Sequence, residues 1–131
     1  MGILLKAFIA GLVLPSVILP LLLCAALHLG KPEVLTIPFL HFIPLIWGMW
    51  NLLYFAVFKH FSSNVNGRLL LTGAVLGLLI AVYGVFKLEI PTLVGFPEGL
   101  YYLPLIVGPI LYALLWRYIL KPLNSFLGLQ N

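Results

Sequence analysis

Residues 38–54 read PFLHFIPLIWGMWNLLY, and the reading of this stretch decides how the chain is built. It contains no Asp, Glu, Lys or Arg, and it is apolar enough to sit in lipid. Yet it holds His41, Pro44, Trp47, Gly48, Trp50, Asn51 and Tyr54. At about 100° per residue, His41, Pro44, Gly48 and Asn51 fall within roughly a quarter of a helix circumference. Trp47, Trp50 and Tyr54 line the adjoining sector. Hydrocarbon offers no partner to an imidazole or a carboxamide, so this edge is expected to face protein or a cavity.

The surroundings make a membrane helix the natural reading. The chain has 131 residues, of which 63% are hydrophobic and 8% charged. A soluble domain carries about 25% charged residues, so this chain lacks the charge to cover a water-facing surface. The bilayer is its solvent. Spanning backbone must satisfy its polar groups internally, as a helix or a closed barrel. The apolar runs are continuous and about 20 residues long, which selects helices over short alternating strands. The expected fold is all-α, a polytopic integral membrane protein. A single four-helix bundle is expected over residues 1–131, with transmembrane helices near 3–29, 34–58, 69–86 and 99–120.

Prolines punctuate these helices. Pro15 and Pro20 lie in the first, Pro44 in the second, and Pro104 and Pro109 in the fourth, and kinks are expected at them. Gly30 can end the first helix and Pro32 can help start the next. Residues 59–68, KHFSSNVNGR, form the most polar connection. Residues 87–98, KLEIPTLVGFPE, are too apolar for a loop bathed in water, so they are expected at the interface or folded over the bundle mouth. Trp116 and Tyr118 suit one interface and Tyr101 and Tyr102 the other. After Pro122 the tail is expected to form one interfacial turn or to fray. Cys24, the one cysteine, is expected as a small packing residue.

Charge sets an orientation. Lys6, Lys59, Arg68, Arg117 and Lys121 belong to the amino-terminal segment, the second loop and the tail, with no acid among them. Lys31 and Lys87 share the other two loops with Glu33, Glu89 and Glu98. The positive-inside rule therefore puts both termini in the cytoplasm. The second and fourth helices also share a phrase. Pro44-Leu45-Ile46-Trp47-Gly48 matches Pro104-Leu105-Ile106-Val107-Gly108, and Pro32-Glu33 and Pro97-Glu98 precede the two copies. This phrase points to a tandem repeat of a helical hairpin.

Several functions lose support. The basic residues are scattered singly, so there is no clustered face for nucleic acid. His28, His41 and His60 show no same-face ligand spacing, so neither metal nor cofactor is expected. Ser16, Ser62, Ser63 and Ser125 have no GxSxG context, and the chain has no Asp. No charged side chain falls near the bilayer midplane, where proton relays and voltage sensors need one.

Three readings remain. The first is a non-enzymatic assembly or accessory subunit, a homo-oligomer or the companion of a larger membrane protein. It would pack through the small-residue stripe Gly73, Gly77, Ala81 and Gly84, for which the other reading is packing inside the chain's own bundle. The second is a small transporter or a binder of lipid or a small apolar ligand. Its site would lie between the second and fourth helices: His41, Pro44, Trp47, Gly48 and Asn51 opposite Tyr101, Pro104, Gly108 and Tyr112. The third is an intramembrane lipid-handling enzyme, with Glu98, His41 and Tyr101 as its actors.

Overall fold

A computed structural model describes all 131 residues. Every regular segment is helical: α1 (Ile3–His28), α2 (Pro38–His41), α3 (Ile43–Ala56), α4 (Val65–Val82), α5 (Ile90–Leu93), α6 (Pro104–Leu115) and α7 (Lys121–Phe126). Short 3₁₀ turns occupy Pro32–Thr36, Phe58–His60 and Glu98–Leu100, and π turns occupy Tyr83–Lys87 and Trp116–Leu120. Three runs are long and apolar enough to cross a membrane: Ile3–His28, Val65–Lys87 and Pro104–Phe126. The chain is thus compatible with an integral membrane protein.

The ends of the helices follow local chemistry. Gly30, at φ 71°, closes α1, and the Lys31 amide reaches back to the Ala26 carbonyl at 2.8 Å. That left-handed step favours glycine and satisfies a carbonyl the helix would otherwise orphan. At the start of α4, the Asn64 carboxamide oxygen accepts from the Gly67 amide at 3.1 Å. This cap lets α4 begin four residues ahead of the expected start at 69.

Two expected helices are interrupted. The run expected over 34–58 is a 3₁₀ turn, then α2, then α3, with the break at Phe42. Pro44 has no amide to bond Leu40 and its ring crowds that carbonyl. The chain instead makes a tighter bond from the Phe42 amide to the Phe39 carbonyl, 3.1 Å, and restarts with Pro44 in the first turn of α3. α3 has 14 residues. That is about 21 Å of helix against a hydrocarbon core of about 30 Å. In the run expected over 99–120, Pro104 opens α6 instead of sitting inside it, a position where its missing amide is harmless. The run then continues through the second π turn into α7, so residues 121–126 are helix and not a frayed tail.

The chain divides into two compact units, Met1–Phe58 with Leu123–Asn131, and Lys59–Pro122. In the first unit α1 packs along α3. Ala7 meets Asn51, and Gly11 meets Trp47 and Gly48, so the two helices run antiparallel. In the second unit α4 packs along α6. Gly73 meets Tyr112 and Gly77 meets Gly108, again antiparallel.

Candidate functional site

In the first unit, glycines set how closely α1 and α3 approach. A β-carbon on Gly11 would lie 2.6 Å from the Trp47 carbonyl oxygen and 2.8 Å from the Gly48 α-carbon. One on Gly48 would lie 2.8 Å from the Phe8 ring. The backbones can touch only because neither residue has a side chain. This closeness brings the Asn51 carboxamide to the Ala7 carbonyl, to which it donates at 2.7 Å.

The same amide nitrogen donates to the Asn124 carboxamide oxygen at 2.8 Å, and the Asn124 amide returns a weaker bond to the Asn51 oxygen at 3.4 Å. Both side chains have no exposed surface. Asn124 also donates to the Asn131 carboxamide oxygen at 2.9 Å, and the Asn131 amide reaches the Ser125 hydroxyl at 3.2 Å. The tail folds back on itself to permit this: Gly128 takes φ 77° and the Leu129 amide bonds the Asn124 carbonyl at 2.9 Å. Tyr54, one turn beyond Asn51, is also fully buried, but its hydroxyl has no hydrogen-bond partner.

In the second unit the approach is closer still. β-Carbons on Gly73 and Gly77 would run into the carbonyl oxygens of Tyr112 and Gly108, and one on Gly108 would lie 3.1 Å from the Ala81 β-carbon. Gly73 and Gly77 therefore spend their smallness on α6 of the same unit. Gly84 stands apart from this contact, with the Ile90 side chain 3.6 Å from where its β-carbon would be.

Past Gly77 the two helices leave an apolar cavity of about 300 Å³. Ile80 and Ala81 wall it from α4, and Pro104, Val107, Leu111 and Tyr112 from α6. Leu103 and Phe96 close it from the connection 88–103. That connection is pinned at two points. Pro91 is fully buried, and the Tyr101 hydroxyl donates to the Val85 carbonyl at 3.4 Å. Residues 95–100 between these pins are exposed.

The expected site residues are placed as follows. Trp47, Gly48 and Asn51 are buried against α1, and Pro44 is half-buried at the start of α3. Pro104, Gly108 and Tyr112 line the cavity of the second unit, while Tyr101 braces its connection. Trp47, Gly48 and Asn51 are thus engaged with α1, and Gly108 and Tyr112 with α4, each within its own unit.

His41 departs from its expected inward position. It is exposed, and its Nε2 lies 2.8 Å from the Leu35 carbonyl in the preceding 3₁₀ turn. His41 lies before the break at Phe42 and Asn51 beyond it, the first exposed and the second buried. Trp116, expected at an interface, is fully buried within the protein, whereas Tyr118 is exposed. Cys24 is exposed, not packed.

Asn124 and Phe96 are the residues that sequence reasoning missed. Asn124 had one signal, as a carboxamide that could answer Asn51. Phe96 had another, as an aromatic side chain in a connection already too apolar for water. No three His, Cys, Asp or Glu side chains come together as a metal site would require. No family model matches the chain, nor does any curated protein or solved structure, so the functional reading rests on this geometry.

Proposed function

We propose that this chain is a small, non-enzymatic integral membrane protein that holds an apolar molecule in its second helical hairpin. The observation that supports the reading is the cavity of about 300 Å³ between α4 and α6. Its size falls at the low end of ligand sites, which run from about 300 to 1,000 Å³. Pro104, Gly108 and Tyr112, three of the residues singled out from the sequence, lie on its wall.

The topology that goes with this reading has four crossings and cytoplasmic termini. α2 and α3 together supply the second crossing, and Lys6, Lys59, Arg68, Arg117 and Lys121 face the cytoplasm under the positive-inside rule. A duplicated hairpin belongs to the same proposal. The matched glycines, Gly48 and Gly108, each sit at the close approach to the partner helix of their own unit. Assembly with copies or with a larger partner would need a surface other than Gly73 and Gly77, which α6 already covers.

Binding of Nile red to the full chain in lipid nanodiscs tests the reading. Val107→Trp fills the cavity from its outer wall and leaves every glycine in place. Saturable binding by the wild type and a loss of about tenfold or more in the variant are expected, with helix content unchanged by circular dichroism. Equal binding by the two, or none by the wild type, would overturn the proposal.

A further inference from the structure

The cavity of the second unit also specifies what it can hold and how it is covered. This inference rests on the binding reading just given and narrows it. Its wall is made of Ile80, Ala81, Leu103, Val107 and Leu111 side chains with glycine and proline between them, and Tyr112 is the one residue there with a polar atom in its side chain. A ligand with several polar substituents would leave them unpaired against such a wall, which is unfavourable. A plain hydrocarbon chain has nothing to leave unpaired.

Access points the same way. Leu103, Val107 and Leu111 on the cavity's rim are 41%, 45% and 49% exposed. They lie on or beside α6, which belongs to a run apolar enough to cross a membrane, and the opposite wall belongs to a second such run. The cavity therefore opens sideways toward hydrocarbon, and a chain already in the bilayer can enter without passing a polar barrier. A volume of about 300 Å³ has room for a segment of one such chain and not for two side by side.

The connection supplies the cover. Phe96 reaches the cavity from residues 95–100, which run exposed between the buried Pro91 and the Tyr101–Val85 hydrogen bond. Gly95, directly before it, takes φ 78°, a conformation that L side chains rarely adopt. The segment thus has two fixed ends and a permissive joint beside its one cavity-lining aromatic. We infer that the cavity binds a single acyl chain of a bilayer lipid, and that Phe96, swinging on Gly95, is the gate over it.

The test uses the full chain in phosphatidylcholine vesicles whose acyl chains carry a photoactivatable diazirine. After irradiation, adducts are mapped by peptide mass spectrometry. Ile106 and Ile110, on the same helix and 65% and 57% exposed, report ordinary contact with the bilayer. Adducts at Phe96, Val107 and Leu111 several-fold above those at Ile106 and Ile110 are expected, and Val107→Trp should remove the excess at Phe96 and Leu111 alone. Phe96→Ala and Gly95→Ala should each speed exchange of a spin-labelled acyl chain several-fold, the first by removing the cover and the second because alanine disfavours the φ 78° at which Phe96 lies over the cavity. Equal labelling at cavity and control positions would overturn the acyl-chain assignment. If Nile red still bound saturably, the ligand class would be wrong while the binding reading stood; if it did not, both would fall. Exchange unchanged in Phe96→Ala and Gly95→Ala would remove the gate.

Discussion

The two units solve one problem with different materials. Both press antiparallel apolar helices together at glycines, and in both the glycine of a Pro-Leu-Ile-Xaa-Gly phrase lies at the contact. In the phrase's register, Asn51 of the first unit corresponds to Leu111 of the second. At Asn51 the first unit adds a carboxamide lock, closed by Asn124 and Ala7. At Leu111 the second unit has no such lock, and an apolar cavity opens. Lipid cannot drive apolar helices together, because its tails are as apolar as leucine. Contact must come from close packing or from polar pairing; both units use the first, and the first unit adds the second.

The largest expected effect tests the packing half of this comparison. Gly73→Leu puts a branched side chain where the Tyr112 carbonyl already lies, and backbone cannot step aside as a flexible side chain can. The α4–α6 pair should loosen by about 3 kcal/mol or more, at the upper end of what overpacking costs. Unfolding of the reconstituted protein in mixed micelles, followed by circular dichroism, measures it. Gly99→Leu, at a position with nothing within 4 Å, should leave stability nearly unchanged and serves as the control. A loss equally small in Gly73→Leu would mean that glycine contact does not hold the second unit.

The polar half is tested next. Asn124→Ala removes one carboxamide of the lock and leaves part of Asn51 unpaired in a buried place, at an expected cost of about 1–2 kcal/mol. Hydrogen bonds between membrane helices average nearer about 0.6 kcal/mol, so the burial of both groups is what raises the figure. The cycle of Asn51→Leu, Asn124→Leu and the double variant isolates the pair. The double variant should be less damaged than the sum of the singles, because with both carboxamides gone neither is left unpaired by loss of the other. Additive losses would show that the two carboxamides do not act together.

How much of this could be read from the sequence depends on the range of the interaction. The all-helical chain and the membrane-compatible runs follow from composition and local pattern, and the structure bears these out. The inward turn of Asn51 was also legible, because a carboxamide in an apolar helix needs a partner. Its partner was not. Asn124 lies 73 residues away in a polar-looking tail, and nothing in helical periodicity links the two. His41 failed for the opposite reason, since a local event outranked the helical face. The helix breaks at Phe42, directly after His41, and the Leu35 carbonyl, six residues back, meets the imidazole at 2.8 Å. The stripe of Gly73 and Gly77 was readable as a contact, but which helix would fill it was not, because any helix with a small or flat face fits.

The smallest expected effect asks whether polarity in the first unit stabilises wherever it occurs or only where it is answered. Tyr54 sits one turn from Asn51 on α3 and is as deeply buried, with its ring edge-on to Phe55 at 5.1 Å between centroids. Its hydroxyl, unlike the Asn51 carboxamide, has no hydrogen-bond partner. A buried hydroxyl left unpaired forfeits its hydration and gains nothing in return, so Tyr54→Phe should stabilise the unit by about 1 kcal/mol. The ring and its packing stay, which isolates the oxygen. The same mixed-micelle unfolding measurement, set beside Asn51→Leu, then reads the two groups on one helix with opposite signs. If Tyr54→Phe instead destabilises the protein, the hydroxyl has a partner that the fold of this chain alone does not contain, such as a lipid carbonyl or a bound water. The first unit would then resemble the second as proposed above, completed by something other than protein.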